Sequence, residues 1–446
     1  MTTARRAVSP PTTPLRAAPG LLRRLIFDRL GMMRSAAAEY GDAVKITIGP
    51  KSLYFFNHPD HAKHVLADNS ANYRKGIGYI QARRALGDGL LTSDGERWRE
   101  QRRVVQPAFA HKRIAARADV VAREAGALVA RLRARGATGP VNLVDELTGF
   151  TLAVLGHTLL DSDLDAFTGA GQAFGVVQDQ AMFEMETMGL VPTWVPLAGQ
   201  LRFRRARRYL DDVVARLTAD RLRHPRPEGD DVLTRLIAAT RNSDPRRLRD
   251  DLVTLLLAGH ETTASTLAWT WYLLDRHPDV LRRVREEAVD VLGDRPPTFA
   301  DLPRLTYTSA VLNESMRLYP PVWILTRQAK EDDDVAGYRV PAGSDVLICP
   351  YTLHRHPGLW DEPDRFDPDR FSPDRSSGRP RYAYLPFGAG PRFCVGQQLG
   401  LVEATFATAL LARDLRLRTA AGHRAVPEPM LSLRMRGGLP VTVHPA

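Results

Sequence analysis

The sequence predicts a mainly α-helical protein with small β-sheets, built as one large body. Three observations lead there. Apolar residues follow a helical period over most of the chain, most fully from Leu248 to Leu274. Short alternating runs punctuated by Gly and Pro occur near 43–57 and 322–352 only. No low-complexity linker or internal repeat divides the 446 residues, of which 44% are hydrophobic, ample for a continuous core.

Taken in order, residues 1–20 read as a flexible Pro- and Ala-rich leader, and residues 21–446 as a single domain. Leu21 to Tyr40 reads as a short helix closed by Gly41-Asp42. Ala43 to Asn57 alternates around Gly49-Pro50, a β-hairpin pattern. A helix follows from His58-Pro59 to about Ala67. Asn69 to Thr92, with four glycines, reads as a long irregular loop of the kind that binds ligands. Ser93 or Asp94 is placed to cap a helix through Trp98 and Arg102 that ends near Pro107. Helices are expected over 115–135, 144–160, 201–223, 231–239, 248–274, 278–292 and 307–319, the last stopped by Pro320-Pro321. The stretch 167–196 holds Phe174, Met182, Phe183, Met185, Met188 and Trp194, either a mobile lid over a pocket or ordinary core packing. Small sheets over 322–352 lead into a Pro- and Asp-rich meander from His356 to Pro380.

Composition narrows the function. Two cysteines, Cys349 and Cys394, exclude a disulfide framework and a four-cysteine metal site, and they suit a reducing cytoplasm. No run of eighteen apolar residues appears, so no membrane anchor is expected, and prolines and Arg16 stand where a signal peptide would be apolar. The net charge of +11 comes almost entirely from dispersed arginines, without a nucleic-acid module, so no nucleic-acid partner is expected.

The chemistry concentrates near the C-terminus, in Phe387-Gly388-Ala389-Gly390-Pro391-Arg392-Phe393-Cys394-Val395-Gly396. Glycines let a loop approach a bulky planar ligand closely. Amides at the start of the following helix, with Arg392, would favour a thiolate at Cys394. A single thiolate suits the axial ligand of a haem iron. A buried structural cysteine at a strand-to-helix turn is the competing reading.

In the long helix, Ala258-Gly259-His260-Glu261-Thr262-Thr263 places polar groups in an apolar setting. Thr262 can bond back to the Ala258 carbonyl and open a groove. Glu261 is a candidate functional acid, although the cluster could simply bridge helices. A zinc-protease reading needs a second His where Ala264 stands, and fails. Glu314 and Arg317 share a helix face, with Arg370 in Phe366-Asp367-Pro368-Asp369-Arg370-Phe371 as a candidate third member.

In this order, from about residue 40 onwards, these elements resemble the cytochrome P-450 family of haem-thiolate monooxygenases, and more closely its soluble bacterial members. The loop fits the pattern Phe-Gly-x-Gly-x-Arg-x-Cys-x-Gly at every fixed position, and Glu314 to Arg317 fits Glu-x-x-Arg. The meander has Pro-Asp-Arg-Phe where Pro-Glu-Arg-Phe is commoner. The resemblance implies haem b lying between the long central helix and the cysteine-loop helix, with Cys394 as iron ligand. It implies Glu314, Arg317 and Arg370 as the network behind the cofactor. Trp98, Arg102, Arg327 and Arg392 would reach its propionates, with Phe387, Gly388, Gly396 and Ala258 bordering it. Thr262 and Glu261 would be the alcohol–acid pair that manages protons for O2 activation. Electrons from NAD(P)H would arrive through a separate ferredoxin and ferredoxin reductase, docking near Arg99, Arg103 and Arg113. A cytoplasmic monomer is expected, hydroxylating or epoxidising an apolar small molecule. Val322, Trp323, Ile324 and Met182 are the candidate pocket residues. Terpenoid, polyketide, fatty acyl and aromatic substrates stay open, a bacterial secondary metabolite such as a terpenoid leading. A haem protein without turnover, and peroxide-driven chemistry, are the alternatives; the alcohol–acid pair favours monooxygenation.

Overall fold

The structure, a computed structural model, describes residues 7–14, 27–48, 51–164, 169–187, 189–225, 231–241 and 244–446, together with residues 20, 23, 24 and 167. The hairpin turn at Gly49-Pro50, Met188 and most of the break at 225–229 lie outside these residues.

The helices that carry the body are α1 (Arg29–Tyr40), α2 (Tyr79–Leu86), α3 (Gly95–Val105), α4 (Ala118–Gly136), α5 (Leu143–Leu155) and α6 (Ala170–Glu186). They continue as α7 (Ala198–Arg223), α8 (Val232–Thr240), α9 (Pro245–Arg276), α10 (Pro278–Leu292), α11 (Thr306–Leu318) and α12 (Gln397–Asp414). A five-stranded sheet has the order β1 (Ala43–Ile48), β2 (Lys51–Phe56), β8 (Asp345–Ile348), β5 (Leu325–Ala329), β3 (Tyr73–Lys75). Only its β2–β8 pair is parallel. Smaller sheets join β4 (Val141–Asn142) to β12 (Pro440–Pro445) and β9 (Leu415–Thr419), β6 (Asp333–Val335) to β7 (Tyr338–Val340), and β10 (Val426–Pro429) to β11 (Leu433–Arg436).

The long helix α9 forms as its periodicity demands. The Asp244 side chain accepts from the Arg246 amide at the cap, Pro245 opens the first turn, and apolar residues face several ways. It runs unbroken through Thr262, so the expected opening of the helix is not a break; the hydroxyl simply bonds back to the Ala258 carbonyl at 3.1 Å. Gly259 has a packing reason. A Cβ there would meet Leu155 Cδ1 at 2.0 Å, so the glycine lets α5 approach α9 closely. The Thr151 hydroxyl then donates to the His260 carbonyl across the same contact. Further along, Trp269 stacks on Tyr319 at 3.9 Å, and Ser265 and Trp269 both donate to the Leu433 carbonyl of β11. Residues 143–160 are long and apolar enough to cross a membrane, yet 67% of that stretch is buried inside the protein, as a core helix requires.

Three expectations change. The stretch 69–92 is not irregular: it holds β3 and α2, whose Ala82, Ala85 and Leu86 are buried. Gly78 and Gly87, both at positive φ, bracket α2, and they disguised it as a loop. Within the leader, residues 8–13 are tied to the sheets, Val8 to Gly337 and Arg339, Pro11 and Thr13 to Lys45. Asp94 sits at the head of α3 but makes no cap; its carboxylate accepts from the Lys75 amide and pairs with Arg392.

Candidate active site

The cysteine loop is held before any ligand is considered. Gly388 and Gly390 have φ of +70° and +66°, a region closed to most side chains. At Gly390 a Cβ would also lie 1.8 Å from the Leu66 carbonyl oxygen, so only glycine lets the loop pass that backbone. The Cys394 amide donates to the Phe387 carbonyl at 3.0 Å, and Arg102 donates to the Phe393 carbonyl at 2.9 Å. Burial pushes the Cys394 thiol above its ordinary range; the Gly396 amide, Arg102 and the Gln397 amide pull the other way. The expected bias to thiolate is therefore present in its donors and outweighed by desolvation in the protein alone.

Cys394 is exposed, but it opens onto a cavity of about 330 Å³ rather than onto the surface. Ala258, Gly259, Glu261 and Thr262 of α9 and Phe387, Gly388 and Gly396 of the loop line the same cavity. Ala258 is exposed in the middle of a core helix, which marks the α9 face turned to this space. Glu261 is anchored: its Oε1 accepts from Ser432 Oγ and from Arg434 Nε, each at 2.7 Å. Both partners belong to the β10–β11 region, which sequence reasoning did not see.

One wall is strongly cationic. Lys75, Arg327 and Arg392 all line the cavity. Lys75 and Arg327 are 7% and 6% exposed and face each other across β3–β5. Lys75 Nζ lies 3.8 Å over the Tyr79 ring, and the Arg327 guanidinium donates to the neighbouring Thr326 carbonyl. Burial, then the neighbouring cations, drives the Lys75 ammonium well below its ordinary range, and burial lowers Arg392 to about 10. Among the described residues, Asp94 is the carboxylate that offsets all three. Two buried cations and the half-buried Arg392, offset by Asp94, leave a wall that suits an anionic group, such as the two carboxylates of a haem. Lys75 and Tyr79 were missed because β3 and α2 were read as loop.

The sequence model of the Cytochrome P450 family matches residues 11–437. The chain belongs to the cytochrome P-450 family. It is 37% identical over 402 residues to cyclooctatin synthase of Streptomyces melanosporofaciens, covering 88% of this chain and 87% of that one. It is 36% identical to cyclooctat-9-en-7-ol 5-monooxygenase of the same organism, over 86% of this chain and 84% of the other. Pentalenene oxygenase of Streptomyces avermitilis is 35% identical, over 86% of both. This cytochrome P-450 is therefore a monooxygenase whose chemistry belongs to haem iron and O2, and members of the family typically take electrons from redox partners and act on apolar molecules.

In this cytochrome P-450 Glu314 and Arg317 are fully buried and Arg370 nearly so. Arg317 clasps both Glu314 oxygens at 2.6 and 2.8 Å and donates to the carbonyls of His354, Pro363 and Arg365. Glu314 also accepts from the Asp367 amide and lies 3.4 Å from Arg370 Nε. His354 carries the network to the loop: its Nε2 accepts from the Leu385 amide at 2.7 Å. Burial, then Arg317 and Arg355, lowers His354 to about 3 and keeps it neutral for that bond.

Arg392 stacks on Trp98 at 4.5 Å and pairs with Asp94. Trp98 and Arg102 do not line the cavity; they hold Arg392 and the Phe393 carbonyl, and so act through the loop. Val322, Trp323 and Ile324 line the cavity as expected. Met182 does not. It is 4% exposed, packed in the core, and its helix α6 instead presents Gln178 and Met185, seven residues apart on one face. Trp194 is 74% exposed and Phe174 is fully buried, so neither borders the cavity. Glu403 of α12 lines it unpredicted, its Oε2 without a hydrogen-bond partner among the described residues and its carboxyl pushed well above the usual range by burial.

Proposed function

We propose that this cytochrome P-450 hydroxylates or epoxidises a terpenoid in bacterial secondary metabolism, with haem b as cofactor. The observation that carries this reading is the cavity with Cys394 on one wall and Ala258, Gly259 and Thr262 on another. Cys394 would hold the iron, and Arg327, Arg392 and Lys75 the propionates, with Trp98 and Arg102 supporting them. Thiolate-bound haem iron supplies the activation of O2 that inserts one oxygen atom into a C–H or C=C bond. The terpenoid class is supported by the mostly apolar lining and by relatives named for cyclooctat-9-en-7-ol and pentalenene.

The protein's own part is to exclude water and deliver protons. The Thr262 hydroxyl donates to the Ala258 carbonyl, which leaves its lone pairs free to accept a bond on the cavity side. Glu261, beside it, is an acid on the cavity wall. Its Oε1 is tied to Ser432 and Arg434, so it can pass a proton towards Thr262 only as that ion pair rearranges. Thr262→Ala should consume electrons at a similar rate while forming product about a hundredfold less often, the low end of what one positioned proton-transfer group contributes. The ratio of product to NAD(P)H oxidised measures it; an unchanged ratio removes Thr262 from the role.

Electrons would come from NAD(P)H through a separate ferredoxin and its reductase. What supports docking beside the cysteine loop is α3, which sends Arg102 inward to Phe393 while Arg99 and Arg103 stay exposed. Arg113, half-buried in the short helix His111–Ala116 that follows, is the third residue proposed for that docking. Arg103→Glu should slow ferredoxin-supported turnover several-fold at low salt, and the difference should shrink as salt screens it. Equal rates at low salt would remove the docking face. A cytoplasmic monomer is the state we infer; two unpaired cysteines support the reducing compartment.

A further inference from the structure

Gln178 is a buried amide with nothing to bind. It comes from the middle of α6, is 1% exposed, and lines the cavity, yet neither its Nε2 nor its Oε1 has a hydrogen-bond partner among the described residues. The same cavity is lined by the apolar Leu155, Leu159, Leu255 and Met185. Glu261, Thr262, Thr266 and Ser432, which line the same cavity, are hydrogen-bonded. A side-chain amide buried without partners is destabilising, and such groups are rare in native interiors unless a ligand or water completes them. Nor is Gln178 part of the cationic wall or of the cysteine loop. It sits on a helix packed against α2 and α7.

We propose that Gln178 determines specificity by binding an oxygen atom already present on the substrate. This rests on the terpenoid reading above and sharpens it: the substrate is an alcohol or ketone on a terpenoid skeleton. An amide offers one donor group and one acceptor, so a hydroxyl engages both and a ketone accepts from the NH2. A bare hydrocarbon of the same shape would leave both amide atoms stranded, and a site built to hydrogen-bond an oxygen rejects the analogue lacking it. The enzyme then acts after a step that installs the first oxygen, either a carbocation cyclisation ended by water or an earlier oxygenation.

The test uses the haem-loaded enzyme and two matched pairs, cedrene with cedrol and kaurene with kaurenol, each titrated by the Soret shift. Wild type should bind each alcohol at least about tenfold more tightly than its hydrocarbon. In Gln178→Met, close to it in volume, that preference should fall below about twofold. Equal binding in wild type, or a preference that survives Gln178→Met, overturns the proposal. A second readout needs no ligand: Gln178→Met should melt roughly 1–3 °C higher than wild type, because it removes an unsatisfied amide. A lower melting temperature would mean that the protein or a trapped water satisfies the amide, and would also overturn it. If none of the four compounds moves the spectrum, the terpenoid reading fails by itself, and dodecane against 1-dodecanol, with the melting shift, still decides Gln178.

Discussion

Cys394→Ser protein, reduced and exposed to carbon monoxide, shows no red-shifted thiolate band, and its turnover falls by roughly 10³-fold or more, the scale on which a reaction centre loses rate without its essential group. The loop itself should survive the change. Its shape comes from the two positive-φ glycines, the Cys394 amide on the Phe387 carbonyl, and Arg102 on the Phe393 carbonyl, none of which uses the sulfur. Serine fits that space and keeps the amides of Gly396 and Gln397 as donors. What it lacks is an acidic, polarisable atom, since a hydroxyl stays protonated where a thiol can ionise onto iron. Bound haem should therefore persist in part while the band is lost. Cys349→Ala is the control. That thiol is fully buried, pushed up to about 11 by desolvation, and donates to the Trp323 carbonyl, so the band should remain. A thiolate band in Cys394→Ser would move the iron ligand elsewhere and undo the reading of the site.

The parts of this molecule that could be read from sequence are those where local pattern and tertiary role coincide. The long helix announced itself by period, and the cysteine loop by glycines that only an unusual backbone needs. Glu314 and Arg317 were legible as a pair on one helix face, although spacing alone could not decide their burial, because three residues of spacing look the same on a surface. The misses share a physical cause. The α2 helix was hidden by glycines at both ends, and with it Lys75 and Tyr79 of the cationic wall. Met182 was chosen for its chemistry, whereas the rotation of α6 decides which residues meet the cavity, and that rotation is set by packing against α2 and α7. The partners of Glu261 lie some 170 residues away in the chain, on β11 and just before it, and no local rule could have joined them. Gln178 belongs to the same class: only the fold shows that its amide is alone.

Arg317→Ala should yield little haem-bound protein, with the soluble, cofactor-loaded fraction down at least tenfold. Arg317 is a cation with no exposure at all, and its guanidinium meets five acceptors: two Glu314 oxygens and the carbonyls of His354, Pro363 and Arg365. Removing it strands the Glu314 carboxylate with Arg370 at 3.4 Å and the Asp367 amide as its remaining partners. Breaking a buried pair in this way costs about 3–5 kcal/mol, a large part of the stability a domain has to lose. The damage should be aimed at the cofactor site, because the His354 carbonyl held by Arg317 and the His354 ring that accepts from the Leu385 amide belong to one residue, and Leu385 stands two positions before Phe387. Arg317→Lys decides between charge and geometry. An ammonium keeps the charge but cannot span five acceptors in one plane, so this variant should also lose most of its haem. Haem content per protein and melting temperature together measure it. If Arg317→Lys loads haem like wild type, the site needs only a buried positive charge behind the loop, and the planar fork has no special part in holding Cys394 in place.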